Sequence, residues 1–269
     1  MTTTLAIANQ KGGVAKTTTV ASVGAALAEL GHSVLLVDLD AQACLTFSLG
    51  IDPEDLELSV HHVLTKGVDP AEVIIATEDG VDLMPATIEL ARAEAELLTR
   101  TGREHVVKTM IETLAEDGTA YDWVLLDCPP SLGVMTVAAL TAADGVLIPL
   151  QCETLSHRGV GQLLDTVHDV RRFTNRGLEV WGVLPTLYDG RTNHARTVLE
   201  TISETYDLDV IEPPIPKTIK FAEAPAAGRS ILATSRSSKG ARAYREATEA
   251  LVARSKRPKT RKKKAGKAS

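Results

Sequence analysis

The 269-residue chain is 44% hydrophobic but only 3% aromatic, with a mean hydropathy of +0.02. That supplies a sizeable aliphatic core, and it excludes both a disordered chain and, because no apolar run reaches 18 residues, a helical membrane protein. The net charge of −6 is uneven: residues 254–269 carry nine Lys or Arg and no acid, leaving 20 basic against 35 acidic residues elsewhere, a net of −15, so attraction to nucleic acid rests on a local patch or the tail.

Strands and helices alternate along the chain. A buried strand is predicted at 5–8, a helix at 17–30 ending at Gly31, and a strand at 33–37 running into Asp38-Leu39-Asp40. A helix follows at 53–66, entered through Asp52-Pro53, then short strands at 74–75 and 81–84 and amphipathic helices at 87–98 and 104–115. The run WVLLD at 123–127 reads as a buried strand leading into Cys128-Pro129-Pro130. Helices at 132–142, 157–173 and 193–206 alternate with strands at 145–149 and 178–184. Pro213, Pro214 and Pro216 mark an irregular crossing, and a last helix spans 239–252. The pattern predicts one α/β domain over 1–253, a mostly parallel twisted sheet with helices on both faces, and a flexible basic tail at 254–269. Cys44, Cys128 and Cys152 lack metal-type spacing, and no signal peptide is expected; the chain reads as reduced and cytoplasmic.

The first strand runs straight into Gln10-Lys11-Gly12-Gly13-Val14-Ala15-Lys16 and three threonines, after which a helix begins. Strand, glycine-bearing turn, Lys-Thr and helix are the layout of a phosphate-binding loop. Glycines let backbone N–H groups curl around an anion, and the helix N-terminus adds unpaired donors. Lys16 is placed to reach the β- and γ-phosphates and Thr17 to ligate Mg²⁺, with Thr18 completing the binding run. Asp127 closes an apolar strand in the manner of a Walker B aspartate, and Asp38 and Asp40 close another. Carboxylates at the ends of parallel strands converge on the crevice where open α/β sheets bind ligands.

The loop departs from G-x-x-x-x-G-K-[ST], with Gln10 and Ala15 at the two glycine positions and an extra lysine, Lys11. This K-G-G-x-x-K-[ST] form resembles the deviant Walker A loop of the ParA/MinD family of P-loop ATPases. Further segments resemble that family over roughly residues 4–252: DLDAQ at 38–42, DCPP at 127–130, PLQCE at 149–153, GVLPTLYDGRTN at 182–193, IPKTIKFAEAP at 215–225 and SKGARAY at 238–244. Within the family the chain is most similar to the ParA/Soj branch. Ala15, Ala41, Ala43-Cys44 and Thr218 stand where the family usually has Gly, Pro, Gly-Asn and Asn.

The resemblance implies a slow, partner-stimulated ATPase that takes ATP and Mg²⁺. Lys11 would reach across a homodimer to the partner's nucleotide, and Asp40 would orient the attacking water, with Lys16 stabilising the developing charge. Thr17, Asp38 and Asp127 would serve the metal, and residues 11–18 the phosphates. Pro216 and Thr218 would meet the base. It further implies non-specific DNA binding by the ATP-bound dimer through Arg191, with Lys217, Lys220, Arg229, Lys239 and Arg242 in adjoining segments. A ParB-like partner and a role in chromosome or plasmid partition complete the expectation. The alternatives are a positioning ATPase that uses no DNA and a non-hydrolysing scaffold. The tail has almost no large apolar residue after Val252, so no membrane insertion is expected.

Overall fold

A computed structural model describes residues 2–153, 156–190 and 193–257. Its centre is a seven-stranded sheet: β1 (Thr3–Ile7), β2 (Val34–Asp38), β3 (Ile75–Ala76), β4 (Asp82–Met84), β5 (Trp123–Asp127), β6 (Gly145–Gln151) and β7 (Glu179–Thr186). The strand order is β3-β4-β2-β5-β1-β6-β7, and every pairing is parallel except β3 with β4. The helices are α1 (Lys16–Glu29), α2 (Cys44–Ser48), α3 (Val60–Lys66), α4 (Pro70–Val73), α5 (Leu90–Leu97), α6 (Val106–Glu116), α7 (Val134–Ala142), α8 (Ser156–Phe173), α9 (Asn193–Tyr206), α10 (Lys220–Ala226), α11 (Ile231–Thr234) and α12 (Lys239–Ser255).

Side chains along a strand alternate between faces, and the two cores follow that period. Ala6, Leu35, Val37, Val124, Leu126, Val146 and Ile148 pack with α3 and α5 to α9. Leu5, Ile7, Val34, Leu36, Leu125 and Leu147 pack with α1, α2, α11 and α12. With both faces covered, the central strands read as unbroken apolar runs. Gly24 lets α1 lie close on the sheet, since a Cβ there would stand 2.7 Å from Leu36 Cδ2.

The sequence reading over-extends two helices and misses four short ones. Residues 53–66 form a 3₁₀ turn at Pro53–Asp55, capped by Asp52, and then a separate α3. Ser59 starts α3 with a capping box, its side chain meeting the backbone of His62 while His62 Nδ1 accepts from Ser59 N. Helices α2, α4, α10 and α11 are each four to seven residues long, too short for helical periodicity to register. The predicted helix at 87–98 begins only at Leu90.

Candidate nucleotide site

Parallel register brings the acids together. Asp38 and Asp127 end neighbouring strands as direct Cα partners, and Ile7 of β1 pairs with Asp127 on the other side, so the loop after β1 starts beside both. Asp38 is fully buried; its Oδ2 accepts from Thr46 N (3.0 Å) and Thr46 Oγ1 (2.8 Å), and its Oδ1 from Asp40 N (3.2 Å). Burial pushes its carboxyl up to about 6, against the pull of those hydrogen bonds. Asp127 is 1% exposed, and neither oxygen has a well-formed hydrogen bond. Burial first, then the Asp38 charge, hold it well above the usual carboxylate range, while the Thr17 hydroxyl and the Lys16 charge oppose them.

Lys16, the first residue of α1, is nearly buried, with Nζ 3.4 Å from the Lys11 carbonyl. Burial lowers its pKa while Asp127 and Asp40 pull it back up. One desolvated lysine thus faces the desolvated Asp127, which has Asp38 on its other side and the Thr17 hydroxyl alongside. An orphaned buried carboxylate next to a threonine hydroxyl is the donor set that a hard divalent cation takes, so the residues present fit Mg²⁺.

The loop is braced from two strands, β6 and β7, and two helices, α1 and α12. Asn9 donates from Nδ2 to the Pro149 carbonyl (2.7 Å) and accepts the Lys11 N–H at Oδ1 (3.0 Å). Thr186, at the end of β7, donates to the Val14 carbonyl (2.9 Å). Thr19 Oγ1 donates to the Ala15 carbonyl (2.7 Å) and lies 3.0 Å from the buried Tyr244 hydroxyl. Gly12 and Gly13 are exposed, and Gly13 has φ 74°. Ala15 also takes the left-handed conformation, at φ 63° and ψ 36°, as does Ala43 at φ 50° and ψ 33° before α2. Asp40 is half-buried, its Oδ1 accepting from Gln42 N (3.0 Å). Lys11 Nζ lies 2.5 Å from Glu153 Oε2.

The base-side segment joins through β7. Tyr188 pairs with Pro216, and Tyr188 N donates to the Ile215 carbonyl at 2.9 Å. Thr218 Oγ1 accepts from Lys220 N at 3.3 Å, so that hydroxyl caps the start of α10. Asn9, Thr19, Thr46, Thr186 and Tyr244 went unselected in the sequence. Tyr244 and Thr186 lie inside quoted motifs, but a hydroxyl's partner 170 or more residues away leaves no mark on its neighbours.

The cations predicted for DNA divide into groups. Lys217, Lys239 and Arg242 are exposed, and among the described residues no carboxylate pairs with them. Gly240 abuts Phe221, where a Cβ would stand 2.7 Å from the ring, so the starts of α10 and α12 lie side by side. Lys220 pairs with Glu223 (2.6 Å). Arg229 is drawn elsewhere: Nε meets Asp79 Oδ1 (3.0 Å), Nη2 the Glu78 carbonyl (2.9 Å) and Nη1 Glu78 Oε2 (3.5 Å). Arg191 and residues 258–269 of the basic tail lie outside the described residues. A recess of about 470 Å³, lined by Leu64, Arg100, Val106 and Met110 among others, shares no residue with the nucleotide loop.

A mostly parallel sheet whose first loop carries a lysine in the phosphate-loop pattern, with two strand-end acids beside it, defines a P-loop protein that takes ATP and Mg²⁺. A family described as the AAA domain matches residues 2–180. The sporulation initiation inhibitor protein Soj of Bacillus subtilis is 42% identical over 250 residues, covering 93% of this chain and 98% of that protein. The chromosome partitioning protein ParA of Caulobacter vibrioides is 38% identical, covering 93% and 94%. A solved structure named cobyrinic acid a,c-diamide synthase, from Mycobacterium smegmatis with bound ADP and magnesium, superposes with a TM-score of 0.84 at 55% identity, covering 94% of each chain. The chain belongs to the ParA/Soj family of partitioning ATPases. No helix among the described residues is long and apolar enough to cross a membrane.

Proposed function

We propose that the chain is an ATP-switched dimer that binds DNA non-specifically and releases it on slow hydrolysis stimulated by a ParB-like partner, serving chromosome or plasmid partition. The observation that carries this reading is the pair of lysines around one loop. Lys16 is buried against Asp127, while the Lys11 ammonium is held by an ion pair whose side chains are 33% and 53% exposed. An exposed pair of this kind is worth about 0–1 kcal/mol, so Lys11 leaves Glu153 at little cost and is available to a second nucleotide. Lys16 neutralises the γ-phosphate, Asp40 orients the attacking water and Thr17, Asp38 and Asp127 hold the metal side. Mg²⁺ held by these residues would supply positive charge against the negative charge developing on the phosphates. Pro216 and Thr218 contact the base, and the pairing of Thr218 with the α10 start leaves its hydroxyl a weak discriminator between bases.

For DNA, the exposed Lys217, Lys239 and Arg242 form one surface where α10 and α12 begin, with Lys220 beside them; Arg191 joins this proposal on the family resemblance alone. Such cations contact backbone phosphates without reading bases. Co-sedimentation with random-sequence duplex, with and without ATP, tests this. Wild type is expected to bind only with ATP, more weakly as salt rises, and the Arg191→Ala and Arg242→Ala variants to lose most of it. Binding that ignores ATP, or none at all, favours a positioning ATPase that uses no DNA.

The name of the 55%-identical M. smegmatis structure raises a second reading, in which ATP activates a carboxyl group for amide formation. Phosphate release with DNA and no carboxylic acceptor separates them: turnover lost in Asp40→Ala supports the water-driven reaction, and turnover only with an acceptor supports the synthase.

A further inference from the structure

Tyr244 is wholly buried in α12, yet its hydroxyl is 3.0 Å from Thr19 Oγ1, which is itself 2.7 Å from the Ala15 carbonyl oxygen. Valence fixes the direction of this chain. A carbonyl oxygen only accepts, so the single hydroxyl hydrogen of Thr19 is committed to Ala15, and Tyr244 must be the donor to Thr19. The relay runs Tyr244 O–H to Thr19 Oγ1, and Thr19 O–H to Ala15 O. The Thr19 N–H adds a second bond to the same carbonyl at 2.9 Å.

Its terminus is the residue of the loop that needs holding. Ala15 stands at φ 63° and ψ 36°, a conformation that a residue with a Cβ keeps only under constraint and that glycine adopts without help. The same tyrosine is touched from the base side, where the Phe221 ring of α10 meets it edge-on at 5.7 Å. We infer that Tyr244, acting through Thr19, is a positioning residue for the nucleotide loop. It locks Ala15 in the left-handed turn and so fixes where α1 starts and where Lys16 is presented. The relay does for alanine what a glycine would do by itself. This inference rests on the reading of the loop as the ATP site.

The test is a double-mutant series read by titration of a fluorescent non-hydrolysable ATP analogue with Mg²⁺, with thermal melting as the check on folding. Thr19→Val, which keeps the shape and removes the donor, is expected to weaken binding about tenfold, and Tyr244→Phe about threefold. Thr19→Ser, which restores the hydroxyl, is expected to restore affinity. In an Ala15→Gly background the same Thr19→Val and Tyr244→Phe changes are expected to cost less than about twofold, because the turn no longer depends on them. A role confined to packing α12 on α1 would lower the melting temperature equally in both backgrounds and leave the affinity pattern flat. Equal losses with and without Ala15→Gly, or Thr19→Val binding as tightly as Thr19→Ser, would overturn the relay. A wild-type chain that fails to bind the analogue would remove the ATP reading, and the relay with it.

Discussion

Two alanines hold left-handed turns in this site, and their surroundings give them different consequences. A Cβ in that conformation costs about 1 kcal/mol. Ala15 is only half-buried, so Ala15→Gly relieves strain and loses little packing. The expected outcome is a gain of about 0.5–1 kcal/mol in urea unfolding of the nucleotide-free chain. Ala43 is 3% exposed, and its methyl belongs to the core. Burying a methyl contributes about 0.8 kcal/mol, which offsets the relief, so Ala43→Gly is expected to be close to neutral. A large loss at position 15 would show that its methyl packs against something of value. Arg229 is the other residue whose setting decides its effect. Its guanidinium binds Asp79, whose side chain is 2% exposed and also accepts from Ser230 N at 2.6 Å. Arg229→Ala leaves that buried carboxylate short of a cation and should cost about 2 kcal/mol of stability, whereas Lys217→Ala and Arg242→Ala should stay within about 0.5 kcal/mol. Denaturation curves for the three, run beside DNA binding, separate a structural arginine from the cations proposed to meet DNA.

Strands and loops carry a different kind of information. Apolar runs ending in aspartate, and the Lys-Thr start of a helix, were legible because each is a local pattern with one physical cause. The pairing of Asp38 with Asp127 was not, since register depends on strand order, and β5 lies between β1 and β2 although 84 residues separate its start from the end of β2. The break before α3 was equally hidden: Leu56 and Leu58 keep a helical look, while the Ser59 capping box shows where the helix begins. That strand-end pairing has a stability cost. Asp127 is a buried carboxylate with no well-formed hydrogen bond beside another acid, and this should destabilise the metal-free chain. Asp127→Asn removes the charge at nearly constant volume. It is expected to raise the stability of the metal-free chain by about 1–2 kcal/mol while abolishing the stabilisation that Mg²⁺ and ATP give the wild type. Thermal melts with and without both ligands check it; an Asp127→Asn chain that Mg-ATP still stabilises fully would show that another group holds the metal.

Across the whole molecule, the candidate phosphate and metal groups, Lys11, Lys16, Thr17, Asp38, Asp40 and Asp127, gather at one end of the sheet, at the C-terminal ends of β1, β2 and β5 and in the segments after them. Lys11 stands at that end and is anchored to Glu153, which follows β6. Two copies meeting there would exchange one lysine for another's nucleotide. The exchange is favourable only with ATP bound: a polyphosphate offers Lys11 more negative charge than the single carboxylate it leaves. Because the ion pair it leaves is exposed, Lys11→Ala should change the melting temperature of the free chain by less than about 2 °C. The same substitution should abolish the ATP-dependent rise in mass measured by light scattering, while analogue binding to the monomer is largely kept through Lys16. Lys16→Ala should instead lose nucleotide binding and dimer together. A Lys11→Ala chain that still doubles its mass with ATP would move the dimer contact elsewhere on this face and leave Lys11 a surface cation held by Glu153.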